Sequence, residues 1–230
     1  MTVIHSLAEV PLFAGLGEAD LALVAQQARL RRYREQDTVF HRDDPGVALY
    51  VILSGKVKIH SEAPDGADLI IAVLSAGEFF GELAVIDGDE RSASATTLEP
   101  TELLMLTRED LHTIIRRHPQ IGLNLLVTLA GRLRRTTEAL RAFSTLDVNG
   151  RVAKQLLALG QQHGVETLEG RQIALRLTQS DLAALVGASR ETVNKVLGYF
   201  RRRGWIAVDE QHRIILLQPL ELAKRCEQAT

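Results

Sequence analysis

Residues 119–146 read PQIGLNLLVTLAGRLRRTTEALRAFSTL, and the rest of the chain is organised around them. Proline opens the stretch at a position where a missing N–H costs nothing. Leu126, Leu129, Leu133, Leu140 and Phe143 then recur at the three-, four- and seven-residue steps that keep side chains on one narrow stripe of a helix. A stripe this narrow suits a coiled-coil seam between two copies of the helix, so a homodimer is expected. Arg132, Arg134, Arg135 and Arg141 flank it. Where another leucine would continue the seam stands Thr136, followed by Thr137. A hydroxyl there either sets the register between partners or faces a bound small molecule, and the seam by itself leaves both open.

With 230 residues, 46% of them apolar, the chain is long enough for one or two domains with cores of their own. It has no apolar run of about 18 residues, so no membrane span and no membrane partner are expected. The opening residues, Met1 to Ser6, lack a basic segment ahead of an apolar one, so no signal peptide is expected. One cysteine, Cys226, excludes an internal disulfide, a cysteine-ligated iron–sulfur cluster and a four-cysteine zinc site; a reducing, cytoplasmic setting is the expectation. His41, His60, His112 and His118 are scattered, so neither a metal site nor a haem is expected. The sequence shows no nucleophile–base constellation, which argues against an enzyme.

The net charge of −2 conceals a segregation. Residues 1–100 carry eight Lys and Arg against sixteen Asp and Glu, whereas residues 151–205 carry nine against four. An acidic front and a basic back suggest two domains, the second with a polyanionic partner.

Ahead of the long helix, residues 6–30 have helical spacing in Leu7, Leu12, Leu16, Leu21, Val24 and Ala28. From Tyr33 the pattern changes to short β-type runs: Ala48–Leu53 after Asp44-Pro45-Gly46, Lys56–His60 after Ser54-Gly55, and Asp68–Leu74 after Pro64-Asp65-Gly66. A further strand pair is expected over Ser92–Thr97 and Glu102–Thr107. Turn signals at this spacing indicate a small antiparallel barrel or jelly roll. Its most informative segment is Gly77–Ala95, GEFFGELAVIDGDERSASA. Gly81-Glu82-Leu83 follows two aromatics, and Arg91-Ser92 stands just before the next strand. Glycine lets backbone N–H groups approach a ligand closely, and a short helix starting near Gly81 would turn its positive end to an anion. Arg91 can offer a fork of donors to a phosphate, and Glu82 can accept from sugar hydroxyls. Taken alone, a surface ion pair between Glu82 and Arg91 is the plainer reading.

Behind the long helix, Asp147 or Asn149 could cap a helix over Arg151–Gln162, with Gly150 lending freedom to the junction. A loop follows through Gly164 and Gly170, then a short strand over Gln172–Leu177. Thr178 is placed to cap a helix over Gln179–Val186, Gly187 to make a turn, and Ser189 to cap a second helix over Arg190–Arg202. Small Ala183, Gly187 and apolar Val193 have the spacing of a helix-turn-helix. The second helix would present Arg190, Glu191, Asn194 and Lys195 outward and turn Val193, Val196 and Leu197 to the core. In a major groove Arg prefers guanine and Glu accepts from cytosine, while Thr178, Gln179, Ser189 and Thr192 suit phosphates. Arg201, Arg202 and Arg203 read equally as electrostatic support or a solvated helix end. Trp205–Val208 and Arg213–Leu217 read as a β-hairpin wing, with Trp205 in the core.

FGELAVIDGDERSASA, the Leu146-Asp-Val-Asn-Gly-Arg151 hinge and the helix-turn-helix together resemble the cyclic AMP receptor protein family over nearly the whole chain. The resemblance implies an α+β chain in three parts. Residues 1–118 would form a cyclic-nucleotide-binding β-roll, 119–146 a dimerisation helix, and 147–230 a winged helix-turn-helix. It implies that Gly81, Glu82 and Leu83 lie at the ribose and Arg91 with Ser92 at the cyclic phosphate. Arg132 would approach the same phosphate, and Thr136 and Thr137 would meet the purine, one of them from the partner subunit. It further implies cyclic AMP as effector, double-stranded DNA with a GTGA-like half-site as target, and RNA polymerase as a partner through the loop Gly164–Arg171. The family has a second Arg where Lys195 stands, so discrimination at that base would be relaxed. The alternative within the class is a relative whose effector is weak, absent or different.

Overall fold

The computed structural model describes residues 3–62, 68–175 and 177–227, so the turn expected at Pro64–Gly66, and Arg176 of the strand expected over 172–177, lie outside the described residues. The chain separates into two compact units, one built chiefly from residues up to Arg134 and the other chiefly from Arg135 onward.

The first unit opens with α1 (Val3–Ala8), a 3-10 turn (Pro11–Phe13) and α2 (Glu18–Gln27). Eight strands follow: β1 (Arg29–Tyr33), β2 (Thr38–Phe40), β3 (Ala48–Ser54), β4 (Lys56–Glu62), β5 (Asp68–Ser75), β6 (Phe79–Phe80), β7 (Ser94–Thr97) and β8 (Thr101–Thr107). Helix α3 (Glu82–Asp87) interrupts them, and α4 (Arg108–Arg117) and α5 (Pro119–Thr145) close the series. The strands form two antiparallel sheets in the orders β1-β8-β3-β6 and β2-β7-β4-β5, in keeping with the jelly roll expected from the turn spacing and the β-roll implied by the resemblance.

Strand β3 shows why this packing follows from sequence. Its residues ALYVIL are apolar throughout, and successive side chains point to opposite faces. Ala48, Tyr50 and Ile52 turn into the roll with Val57, Phe80, Ala95 and Leu103. Leu49 and Val51 turn outward, with Leu104 and Leu106 of β8, onto Leu7, Leu12, Phe13, Leu111 and Ile121 of the helices. A strand covered on both faces reads as a continuous apolar run rather than an alternation.

Two expectations need correction here. Helix does not extend to residue 30, because β1 already begins at Arg29 and pairs with β8. The strands β7 and β8 do not form a pair: β7 lies between β2 and β4, and β8 between β1 and β3. The Leu98–Pro100 corner carries the chain from one sheet to the other, and the Leu98 N–H is taken by the Lys56 carbonyl at 2.8 Å. Helix α5 has two apolar faces. Ile121 and Leu125 are buried in the helix-side core, whereas Leu123, Leu126, Val127, Leu133 and Leu140 are exposed.

The second unit holds α6 (Val148–His163), β9 (Gly164–Glu166), β10 (Arg171–Ile173), α7 (Gln179–Val186), α8 (Arg190–Arg202), β11 (Ile206–Val208), β12 (Ile214–Leu216) and α9 (Pro219–Glu227). The strands form one sheet, ordered β11-β12-β10-β9. Residues 164–173, expected as a loop and the start of a strand, fold as a β9–β10 hairpin. Asp147 is the cap of α6, its carboxylate accepting from the Gly150 N–H at 2.8 Å. Gly150 is not a point of freedom: it is buried inside α6, where a Cβ would lie 3.2 Å from Leu146 and 3.4 Å from the Arg225 carbonyl. Leu146 and the capping Asp147 carboxylate, at 3.2 and 3.3 Å, crowd that position, with α9 just behind. Arg225 also forms an ion pair with Asp147, and the Cys226 thiol points to the Gly150 carbonyl. Burial pushes that thiol above its ordinary pKa. Among the described residues no helix is long and apolar enough to cross a membrane.

Candidate functional site

The strand–turn–helix β6–Gly81–α3 builds the first site. Gly81 has φ +77°, a left-handed conformation that favours glycine, and a Cβ there would lie 2.7 Å from Arg91 Nη1. Arg91 is only 3% exposed. Its Nη1 donates to the Gly81 carbonyl at 2.7 Å and its Nη2 to the Ala48 carbonyl at 2.6 Å. The guanidinium lies 4.2 Å from the Phe40 ring centroid and 5.9 Å from that of Tyr50. Tyr50 in turn stacks on Phe80 at 5.4 Å. Burial lowers the Arg91 pKa from its ordinary value, opposed by Tyr50, Asp44 and Glu82. Burial likewise raises that of Tyr50, opposed by Arg91. The Arg91 Nε atom is buried without a hydrogen-bond partner, and an unmet buried donor is costly unless something supplies the acceptor.

Glu82, at the first position of α3, is also 3% exposed. It does not pair with Arg91; its carboxylate meets Arg132 Nη1 of α5 at 2.7 Å. Arg132 Nη2 donates to the Phe79 carbonyl, and the guanidinium sits 4.9 Å from the Phe79 ring centroid. The structure thus brings Gly81, Glu82, Arg91 and Arg132 together. Ser92, beside Arg91 in the chain, is exposed, and Leu83 faces outward from α3. Thr136 and Thr137 are exposed on the part of α5 that belongs to the second unit.

Sequence reading missed the residues that hold this cassette in place. Arg108 Nη2 donates to the Gly46 carbonyl at 3.2 Å and the Ala84 carbonyl at 2.5 Å. Gly46 approaches α3 so closely that a Cβ would lie 2.1 Å from the Ala84 Cβ. Asp44 and Asp43 bracket Arg91 through backbone hydrogen bonds of 2.9 Å each. The available signals were the aromatics at Phe40 and Tyr50 in strands and the glycine of Asp44-Pro45-Gly46, which registers in sequence only as a turn. Chemically, a buried guanidinium with one unmet N–H beside a buried carboxylate fits a ligand carrying both an anion and hydroxyls.

The helix-turn-helix of the second unit is built as the sequence suggests. The Thr178 hydroxyl accepts from Asp181 N at 3.0 Å, and Asp181 answers the Thr178 N–H at 2.9 Å, a reciprocal capping box. Gly187 turns the chain at φ +58°, and Ser189 caps α8 by accepting from Thr192 N at 3.2 Å. A Cβ on Gly187 would lie 2.5 Å from the Phe143 ring, and Arg151 stacks over that same ring at 5.2 Å. Phe143 therefore packs on the helix-turn-helix corner rather than serving only the seam.

Val193, Val196, Leu197 and Phe200 are buried on one side of α8, while Arg190, Glu191 and Lys195 stand exposed on the other. Gln179 is exposed at the start of α7, and Thr192 is half-buried with its hydroxyl 2.8 Å from that of Ser189. Asn194 departs from the outward face expected of it: the residue is half-buried, and its Oδ1 is buried without a partner. It follows Val193 by one residue, about 100° round the helix, which places it on the flank of the core. Trp205 packs at 5.3 Å on Phe200 and 5.6 Å on Tyr199, in the core as expected.

Comparison with known proteins assigns a domain family to each unit. The cyclic nucleotide-binding domain family matches residues 30–118, and the Crp-like helix-turn-helix domain family matches residues 150–225. A CRP-like cAMP-activated global transcriptional regulator of Mycobacterium tuberculosis is 40% identical over 219 residues, 95% of this chain and 97% of that one. The cyclic AMP receptor protein of Thermus thermophilus is 42% identical over 196 residues, 84% of this chain and 87% of that one. The solved structure of the c-di-GMP responsive global regulator CLP of Xanthomonas campestris superposes with TM-score 0.76 at 28% identity, covering 87% of this chain and 99% of that one. These matches span both units and their order along the chain, and the relatives are transcription regulators rather than enzymes. The chain belongs to the cyclic AMP receptor protein (CRP/FNR) family of transcription regulators, with a cyclic-nucleotide-binding domain followed by a DNA-binding helix-turn-helix.

Proposed function

We propose that this protein is a cyclic-AMP-responsive homodimeric regulator, located in the cytoplasm, that binds palindromic GTGA-type DNA sites. One observation carries the effector reading: Arg91 is buried beside Glu82 with its Nε donor unmet. A cyclic phosphate supplies the acceptor that this donor lacks, and Glu82 can accept from a ribose hydroxyl while Arg132 balances its charge. In this reading Gly81 gives the ligand room beside the backbone, Ser92 adds a hydroxyl to the phosphate, and Leu83 borders the sugar. Thr136 and Thr137 reach the purine from the α5 helices of the two subunits. The exposed stripe of Leu126, Leu133 and Leu140 supports the dimer seam. We assign residues 1–118 to effector binding, 119–146 to dimerisation and 147–230 to DNA.

On DNA, Arg190 meets guanine, Glu191 accepts from cytosine N4, and Lys195 meets guanine or phosphate. Thr178, Gln179, Ser189 and Thr192 position the phosphate backbone. The β9–β10 hairpin is the surface assigned to RNA polymerase. The effector would favour the arrangement in which two copies of α8 sit one DNA turn, about 34 Å, apart.

The test is calorimetry with cyclic AMP and cyclic GMP on the intact protein and on Arg91→Gln, followed by DNA binding to a palindromic GTGA site with each nucleotide. Cyclic AMP binding that disappears in the variant, together with tighter DNA binding in its presence, is the expected result. Binding of neither nucleotide, with DNA binding intact, would overturn the effector assignment and favour a different ligand. A cyclic dinucleotide, the class to which CLP is responsive, would be the next one to try.

A further inference from the structure

The second unit contains an open cavity of about 680 Å³ whose apolar interior neither DNA reading nor nucleotide binding uses. Its floor is the packed core of three helices and the segment after β10: Leu156 and Leu159 of α6, Leu175, Leu182 of α7 and Leu197 of α8, each 8% exposed or less. Half-buried Leu177, Val208 and Ile214, the last two paired across the wing, form the accessible apolar walls. The volume lies within the range of about 300–1,000 Å³ in which proteins hold small apolar ligands.

The rim differs from the walls. It consists of Thr178, Gln179, Arg190, Gln211 and His212, all exposed. Among the described residues no Asp or Glu lines the cavity, so the fixed charge at its mouth is the Arg190 guanidinium. Asp181 and Asp209, close by in sequence, are otherwise engaged: Asp181 accepts from the Thr178 hydroxyl at 2.7 Å, and Asp209 from Arg213 Nε at 2.9 Å. An apolar interior with one cation at its mouth matches an amphiphile with a hydrocarbon tail and an anionic head.

We propose that this cavity binds a linear aliphatic carboxylate, its chain against Leu177, Val208 and Ile214 and its carboxylate between Arg190 and His212. Occupancy would oppose DNA binding, because the head group engages the residue that α8 offers to guanine. The binding half of this proposal stands without the DNA reading above; the opposing half rests on it.

Calorimetry of octanoate, decanoate and dodecanoate against the DNA-free, full-length protein, below their micellar concentrations, tests the binding half. Each added methylene is worth about 0.8 kcal/mol when buried, so affinity should rise about fourfold per methylene and then level off once the cavity is full. Val208→Trp, which fills the interior, should abolish binding, and Leu177→Phe is the second filling variant should the first fold poorly. Arg190→Gln should weaken decanoate about tenfold and leave decanol unchanged. Decanol binding as tightly as decanoate, or undiminished binding by both filling variants, would overturn the proposal.

The opposing half is read as displacement of GTGA DNA by dodecanoate. Ligand binding without displacement overturns that half alone. A protein that takes up dodecanoate but binds no GTGA DNA under any condition instead shows the DNA reading to be at fault.

Discussion

Replacing Arg132 by methionine removes the partner of a carboxylate that has almost no contact with water. Glu82 is 3% exposed, and its Oε1 lies 2.7 Å from Arg132 Nη1. Breaking a buried ion pair from one side costs about 3–5 kcal/mol, because the remaining charge is left without compensation. The Arg132 side chain is 23% exposed, so water screens part of the interaction, and we expect about 2–3 kcal/mol. Methionine keeps most of the stem that packs on Phe79, which confines the loss mainly to the charge. With a urea slope of about 2 kcal/mol/M, the unfolding midpoint of the first unit should fall by about 1–1.5 M.

The decisive measurement is the double-mutant cycle with Glu82→Gln, followed by far-UV circular dichroism. Once the carboxylate is gone, Arg132→Met should cost under about 1 kcal/mol, giving a coupling of about 1.5–2 kcal/mol. Trp205, the chain's single tryptophan, sits in the second unit and supplies an internal control: its fluorescence transition should hold its midpoint in all four proteins. A coupling below about 0.5 kcal/mol would refute the claim that the pair anchors α5 to the cassette.

Phe40→Leu removes the ring 4.2 Å from the Arg91 guanidinium while keeping the residue apolar. A partly desolvated cation–π contact is worth about 1–2 kcal/mol, so cyclic AMP affinity measured by calorimetry should drop about 5- to 30-fold. Gly187→Ala forces a Cβ into a left-handed turn and against Phe143. It should destabilise the second unit by about 2 kcal/mol or more, and adding Phe143→Ala should recover the steric share but not the backbone cost of about 1 kcal/mol, as read by thermal melting. Hydrogen bonds from the Arg213 backbone and side chain and the Gln211 backbone hold the Asp209 carboxyl below its ordinary pKa of 3.8. Its contribution to the wing is therefore present above that value and lost as pH falls through the lower folded one. Asp209→Asn should flatten that acid limb when Trp205 fluorescence is followed below pH 4.

Local rules account for what the sequence made legible. Caps at Thr178, Ser189 and Asp147, the left-handed glycines 81 and 187, and the apolar faces of α7 and α8 are set by neighbours within a few residues, and each appears where its motif stands. The failures share a different cause. Which strand lies beside β7 and what covers Phe143 both depend on segments far along the chain. In the candidate site around Arg91 the residue types at Gly81, Glu82 and Arg91 were readable, but their supports were not. Phe40, Gly46 and Arg108 act across separations of up to 62 residues, the span of the Arg108–Gly46 bond, and no local pattern marks them. Helix α9 escaped notice because its nine residues carry no N-terminal capping signal beyond Pro219.

That last helix also has a consequence for how the protein is made. The Arg225–Asp147 pair joins residues 78 positions apart, and it fastens the end of α9 to the cap of α6. During synthesis at about 5–20 residues per second, α6 waits roughly 4–16 s for that partner. The first unit, whose contacts close by Arg134, can fold during this interval. A nascent chain therefore holds a complete first unit while the second is still open at its C-terminal end, and a ribosome that stalls short of Arg225 leaves the cap of α6 without its latch.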